Sequence, residues 1–405
     1  MSASPGQGND RVIVVGAGPV GLVAACSLAA EGIPVTILEK SEDLPKDLRA
    51  STFHPPTMDM LDRFGVMEKL IPRGLVCPNW QFRGRTEGVI ATFDLGLLAG
   101  DTNHPYRLQC EQWKLTEMLR DLIETSEMAE IVYKVRATGL TQDADGVTLT
   151  VEHEDGSTEP MRAAYVIAAD GAHSLLRKAL DIEFEGMTIP EIFLSMSTPF
   201  DFSAAMEDLT PISYITDPKE WAVILQTPSL WRVLLPTDPG LTDEQVKDPE
   251  GMEARMQALC PKPGRYEIAH ATAYRVHQRV AKNYVKGRAF LVGDAAHLNN
   301  PLGGMGMNGG VHDAVNLVEK LALIWRGEAG MDLLDLYERQ RRKACIDTVQ
   351  QQSIRNRRMM AETDPAARAA YHEELRRTAE DRAAHLAFVR KSSMIQSLRD
   401  LDAVA

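Results

Sequence analysis

The strongest constraint on how this chain folds is its opening, RVIVVGAGPVGLVAACSLAAEGIPVTILEK, residues 11 to 40. RVIVV is a short β-branched run of the kind buried on both faces of a parallel sheet, and VTILEK repeats that texture after a stretch of helical composition closed by Gly32. The pattern predicts a βαβ unit. Between the first strand and the helix stands Gly16-Ala-Gly18-Pro-Val-Gly21. The first glycine permits a tight turn, the second lets a pyrophosphate approach the backbone, and the third lets helix and strand pack closely. Free N–H groups at the helix start face the phosphate, and Pro19 loses nothing there because its missing N–H would be unpaired in the first turn anyway. Glu39, closing the second strand, can accept hydrogen bonds from ribose hydroxyls. A dinucleotide, NAD or FAD, is the expected ligand.

The chain has 405 residues, more than one core usually organises, so two or more substructures are expected. A net charge of −13 and the lack of any lysine/arginine block argue against a nucleic-acid partner and against an acidic membrane surface. Cys26, Cys77, Cys110, Cys260 and Cys345 contain no C-x-x-C pair and are odd in number, which speaks against a disulfide framework and a structural zinc site; no metal is expected. A reducing, cytoplasmic setting fits. The N-terminal MSASPGQGND is not a charged-then-apolar leader, and the apolar run after it is broken by glycine and proline.

Further along, PPTMDMLDRFGVMEKL reads as helical, residues 75 to 109 as short strands, and 112 to 127 as a helix. VTLTVEHEDGST predicts a hairpin turning at Asp-Gly, followed by the apolar strand YVIAAD. From 185 to about 285, runs such as FLSMSTPF, AVILQT and WRVLLPTD predict a mostly antiparallel sheet. Beyond Gly327 the chain is charged with both signs and helix-rich.

Two more nucleotide-type signatures lie far from the first. YVIAADGAHSLLRKAL closes a strand with Asp170-Gly171 and carries Arg177 on the next helix. GRAFLVGDAAHLNNPLGGMGMNGG closes another with Gly293-Asp294. With GAGPVG and Glu39 these make three fingerprints in an order that resembles the single-component flavoprotein aromatic hydroxylases, the FAD monooxygenases typified by para-hydroxybenzoate hydroxylase. The resemblance covers about residues 10 to 330. It implies an α/β fold with a Rossmann-like FAD domain built from residues 10–75, 110–185 and 285–328. A substrate-binding sheet domain follows from 76–109 and 186–284, and a helical C-terminus from 329–405.

The resemblance also implies the chemistry and its residues. NAD(P)H reduces FAD, and O2 is captured as a flavin C4a-hydroperoxide that hydroxylates a small aromatic substrate, phenolic, hydroxybenzoate-like or N-heteroaromatic, in a protein that is a monomer or homodimer. Gly16, Gly18 and Gly21 hold the pyrophosphate, with Glu39 and Lys40 at the adenosine end. Arg49 contacts the flavin phosphates. Gln112 lies near the ribityl chain, with Gln109 as the alternative. Ala137 offers a backbone contact to adenine. Asp294, after Gly293, accepts from ribityl hydroxyls. Asp170, Gly171 and Arg177 serve FAD and the nicotinamide donor, and Pro301 sits near the reactive edge of the ring. Epoxidation, Baeyer–Villiger insertion, a non-oxygenating flavin dehydrogenase or reductase, and a non-enzymatic binding protein are the rival readings on the same scaffold.

The loop NNPLGGMGMNGG, residues 299 to 310, carries five glycines before a helix-like run. It lacks the Gly-Lys-Ser/Thr ending of a phosphate cradle. A flat isoalloxazine suits it: bare glycines at Gly303, Gly304 and Gly306 let backbone N–H groups reach the ring, and Met307 and Asn308 would stabilise its reduced anion at the positive end of a helix beginning near Gly309. For individual side chains the bland accounts compete. His54 is a proton relay or a helix-capping residue, and Tyr214 and Arg232 are candidates for the substrate pocket or ordinary strand residues. His297 reads as packing, Asp313 as a helix-start carboxylate, Met305 as a gap filler, and Trp221 and Trp231 as core.

Overall fold

A computed structural model of the chain describes residues 10–46 and 50–404. The opening run forms Val12–Val15, the helix Pro19–Ala30 and Val35–Glu39, with both strands buried along their whole length. These strands sit inside a six-stranded sheet, in the order Val285–Lys286, Ala289–Leu291, Tyr165–Ala168, Val12–Val15, Val35–Glu39, Ala129–Tyr133. Four of its five pairings are parallel. Strands pairing in parallel need crossovers whose helices cover the faces, which is why they read as unbroken apolar runs. The helix Pro19–Ala30 is buried along nearly its whole length, as its all-round apolar composition requires.

The second sheet has eight strands. Its long pair, Phe184–Thr198 and His270–Ala281, runs antiparallel, and Trp231–Thr237, Ala222–Gln226 and Ile212–Thr216 extend it antiparallel in turn. Ile212–Thr216 then pairs parallel with Asn79–Gly84, so a strand from early in the chain completes a sheet otherwise contributed much later. The hairpin predicted at Asp-Gly is present: Val147–His153 pairs with Thr158–Ala163 around Gly156 at φ +81°.

Three predicted elements differ. The single helix expected from PPTMDMLDRFGVMEKL is two, Pro55–Asp62 and Met67–Leu70, because Gly65 at φ +66° turns the chain between them. Arg107–Gln109, expected in the substrate sheet, pairs instead with Thr52–Phe53 and Leu75–Cys77 in a separate three-stranded sheet at the junction of the two large ones. The glycine-rich loop gives way to a helix at Gly306, earlier than Gly309; that helix runs to Trp325. The C-terminal helices Pro365–Glu380 and Arg382–Ser392 lay Leu375, Val389 and Phe388 against Trp80, Phe82 and Phe93, closing the second sheet with an aromatic core. Among the described residues no helix is long and apolar enough to cross a membrane.

Candidate functional site

Val12–Val15, Val35–Glu39, Tyr165–Ala168 and Ala289–Leu291 are neighbours in one sheet, so the turns after them converge at its carboxyl edge, the edge at which open α/β sheets bind ligands. Gly16, Glu39, Asp170 and Gly293 all stand there. Gly16 has φ +105°, and a Cβ on it would lie 2.5 Å from the Ala169 carbonyl oxygen. A Cβ on Gly21 would lie 2.0 Å from the Gly16 oxygen, so that glycine is where helix and turn touch. Gly18 differs: a Cβ there would meet nothing within 4 Å. Its bareness serves no contact inside the protein, which fits a position kept clear for a pyrophosphate.

Glu39 is buried and held at the strand end, accepting from the Ala17 N–H at 2.9 Å and the Ser41 N–H at 3.0 Å. Lys40 is exposed, and it lines one surface cleft with Lys134 and Arg136, the residue before Ala137. Ala137 itself is buried in Val135–Gln142. Arg49 lies outside the described residues. Gln112 opens the helix Gln112–Glu124 half-buried, whereas Gln109 is fully buried and donates to Thr52 Oγ1 at 2.9 Å, with its own Oε1 unpartnered.

Asp170 accepts from Leu175 N–H and Leu176 N–H at 2.8 and 3.2 Å through Oδ2, capping the helix that follows, while its buried Oδ1 has no partner. Gly171 takes φ +80° beside it. Arg177 follows on the same helix. Its guanidinium is buried, donates to Ala295 O at 2.8 Å and Ala172 O at 3.0 Å, and stacks 3.8 Å over Phe184. It ties the two distant fingerprints to each other. Gly293 has φ +58°, and Asp294 is exposed in the single turn Gly293–Ala295.

The glycine loop is shaped by the protein as much as by any ligand. Gly303 and Gly304 take φ +106° and +66°, and a Cβ on Gly304 would press 2.9 Å from Thr52. Gly304 N–H turns back to Pro301 O at 3.0 Å. The Asn308 side chain is spent on structure: it accepts from His54 N–H and donates to Thr52 O and Gly304 O. The helix starting at Gly306 has no side-chain cap, and Gly309 N–H finds Met305 O. The N–H groups of Gly306, Met307 and Asn308 are thus the first-turn donors at its positive end. Asp313, expected to open a helix, lies two turns inside this one. It is fully buried, accepting from His297 Nε2 at 2.7 Å, Arg341 Nε at 2.7 Å and Gly293 N–H at 3.1 Å. Burial alone would raise its carboxyl, but His297 and Arg341 together bring it below the usual value. His297 is part of this packed network, in line with the bland account.

Against the other side of the loop stand the substrate-pocket candidates. His54 is fully buried, and its Nε2 lies 2.8 Å from Gly303 O; a carbonyl only accepts, so Nε2 carries the proton and Nδ1 is left with a lone pair and no partner. Burial, then the nearby Arg107, hold it well below the ordinary imidazole range. Tyr214 is buried on Ile212–Thr216 near Arg107 and Gly303; burial pushes its hydroxyl up although both neighbours oppose it. Arg232 is buried and reaches Ser51 Oγ at 3.3 Å, with Tyr274 beside it. Sequence reading missed Arg107. The local sequence Arg-Leu-Gln carried no signal that set it apart. The wall of this region is aromatic: Trp80 packs 5.5 Å from Tyr214 and 5.8 Å from Phe388 between ring centres.

Comparison with known proteins points the same way. A family model described as an FAD binding domain matches residues 10–352. The chain is 35% identical over 363 residues to the para-nitrophenol 4-monooxygenase of Pseudomonas sp. (strain WBC-3), covering 89% of each. It is 33% identical over 360 residues to the 6-hydroxy-3-succinoylpyridine 3-monooxygenase of Pseudomonas putida (strain DSM 28022 / S16), covering 88% of this chain and 90% of that one. Its fold superposes with a TM-score of 0.90 and 32% identity on the crystal structure of p-nitrophenol 4-monooxygenase from Pseudomonas putida DLL-E4, over 95% and 98% of the two chains.

Proposed function

The chain belongs to the FAD-binding family of flavin-dependent aromatic monooxygenases, and from that premise we propose that it hydroxylates a single-ring phenol or hydroxypyridine. Its activity is that of an FAD-dependent oxidoreductase inserting oxygen into an aromatic ring; the rival readings of epoxidase, Baeyer–Villiger enzyme, dehydrogenase and binding protein find no support among the relatives. Bound FAD supplies a redox centre that takes a hydride from NAD(P)H and activates O2 for transfer of one oxygen atom.

The observation that carries the cofactor reading is Gly18, whose missing side chain would touch no protein atom, beside glycines whose missing side chains would. Gly16, Gly18 and Gly21 would hold the pyrophosphate, Glu39 and Lys40 the adenosine end, and the unpartnered Asp170 Oδ1 supplies a further acceptor. The first-turn N–H groups of Gly306, Met307 and Asn308, with Pro301, Gly303 and Gly304 before them, would lie along the flavin. Arg177 orients the loop carrying Gly293 and Asp294 through Ala295. On the substrate side, Trp80, Phe82, Phe93 and Phe388 exclude water from the region around Tyr214 and His54, a requirement for any reactive oxygen transfer. All five cysteines are buried and unpaired, which suits the reducing cytoplasm.

The test is direct. Purified protein should take up FAD to near one equivalent, and NAD(P)H oxidation in air with a panel of phenols and hydroxypyridines should yield a product heavier by one oxygen. NAD(P)H oxidation that gives only hydrogen peroxide with every ring compound would refute ring hydroxylation.

A further inference from the structure

Arg107 is buried, at 2% exposure, on the strand Arg107–Gln109 where the two large sheets meet. Its Nη2 donates to Ser392 O at 3.1 Å, its guanidinium lies 5.0 Å over the Trp80 ring, and the Tyr214 hydroxyl is close enough to interact with its charge. Among the described residues no carboxylate pairs with it, and its Nε–H has no partner. A cation taken out of water without a counter-ion is strongly disfavoured, and this one is turned toward an aromatic region. The groups that face it are Tyr214 from Ile212–Thr216, Cys77 from Leu75–Cys77, His54 ahead of Pro55–Asp62, and the Ser392 carbonyl from the C-terminal helices. None carries negative charge near neutral pH. Burial pushes the Tyr214 hydroxyl up and, though Arg107 opposes it, the Cys77 thiol to about 12. The Trp80 indole N–H close by is also buried and unpartnered. The surroundings are aromatic.

Resting on the aromatic-hydroxylase reading, we propose that Arg107 selects the ionised form of the substrate, so that this enzyme binds phenols as phenolates, a counter-ion that none of the described residues supplies. The neighbouring groups make poor bases, since burial and Arg107 keep His54 neutral and burial keeps Tyr214 protonated. The phenol therefore gives its proton to solvent before binding. The favoured substrates are phenols acidic enough to ionise near neutral pH, those carrying electron-withdrawing ring substituents.

The experiment measures dissociation constants of 4-nitrophenol and the less acidic 4-methylphenol against pH, on FAD-loaded wild type, Arg107→Lys and Arg107→Met. In wild type, 4-nitrophenol affinity should rise about tenfold per pH unit up to the phenol's own pKa and then level off. Arg107→Met should weaken phenolate binding at least roughly tenfold and flatten that profile, Arg107→Lys should keep its shape at intermediate affinity, and 4-methylphenol binding should change little. Wild type that binds the neutral phenol better overturns the proposal, even if Arg107→Met fails to fold. So does an Arg107→Met profile like that of wild type. A shift in flavin midpoint potential in Arg107→Met with phenol binding unaltered assigns the charge to the reduced cofactor and also overturns it. Hydroxylated product from wild type is scored separately, so ring hydroxylation stands or falls on its own.

Discussion

Arg341 and Arg107 are both buried arginines, at 2% exposure each, and they differ in what they face. Arg341 meets Asp313 at 2.7 Å, and Asp313 in turn holds His297 and the Gly293 N–H. Its charge is answered within the protein, and its work is to join the helix Leu333–Ala344 to the helix Gly306–Trp325 and the loop at Gly293. Arg107 meets a phenol, a thiol, a carbonyl and an indole face. Arg341 is balanced by a carboxylate of the fold, whereas Arg107 has none among the described residues and faces the aromatic region, where it can meet a charge that arrives. The two can be told apart by what each costs to remove.

The largest effect is expected at the answered pair. Arg341→Met leaves Asp313 charged and fully buried against a single imidazole, and should lower unfolding free energy by about 3–5 kcal/mol, read from the denaturation midpoint. Asp313→Asn should cost a similar amount. A loss below about 1 kcal/mol for either would mean the network is incidental.

The glycines repeat the contrast one step down. Gly16→Ala forces a side chain to φ +105° and against the Ala169 oxygen, which should destabilise the apo-protein by roughly 1–3 kcal/mol. Gly18→Ala meets no protein atom, so apo stability should change by less than about 1 kcal/mol while FAD affinity falls. If Gly18→Ala binds FAD as wild type does, the open side of that glycine is not where the pyrophosphate lies.

Which of these residues were legible in the sequence follows from distance along the chain. Gly16, Gly18, Gly21 and Glu39 fall within one βαβ unit, where spacing dictates geometry, and Asp170 and Gly293 each close a recognisable strand. Asp313 was misread because its role depends on where the helix begins; three residues between Gly306 and Gly309 decide whether it caps or is buried inside. The bond from Arg177 to Ala295 was not legible because the two are more than a hundred residues apart. Arg107 was missed because its significance lies in what is lacking around it, and that requires Tyr214, Cys77 and Ser392 to be assembled from three distant segments. The C-terminal helices hid their role in a charged, weakly patterned sequence whose few apolar residues, such as Leu375 and Val389, meet the second sheet only in the folded state.

Acidity separates the two regions by pH. His312 bonds Thr57 Oγ1 at 2.9 Å and is driven by burial, then by Arg341, from 6.5 down to about 3; His54 is likewise lowered. Both stay neutral in the fold while the unfolded chain takes a proton near 6.5. Their stabilisation is therefore complete above that pH and lost as pH falls toward the folded value. His312 should cost roughly 1.4 kcal/mol by pH 5.5, and His54 adds in the same direction. Asp313, also depressed, loses its contribution only below about 3.8, the unfolded value. His312→Gln should reduce the slope between pH 6.5 and 5 by about one proton's worth, measured by denaturation at each pH, with His54, His277 and His372 supplying the rest; a slope unchanged in that variant would place the acid sensitivity elsewhere.

The smallest expected effect bears most directly on the comparison. Arg107→Met removes an uncompensated cation from a nonpolar site and keeps a stem of similar length to pack on Trp80, at the loss of the bond to Ser392 O and the interaction with Tyr214. Relief from desolvation opposes the lost hydrogen bonds, and the two are of comparable size. The change in unfolding free energy should be within about 1 kcal/mol of zero, several-fold less than for Arg341→Met by the same assay. Two arginines of equal burial would then give a structural defect in one case and, in the other, a stable protein that binds phenolate poorly. Equal losses at both positions would mean that Arg107, too, holds the fold, and that the contrast between answered and unanswered charge says nothing about function here.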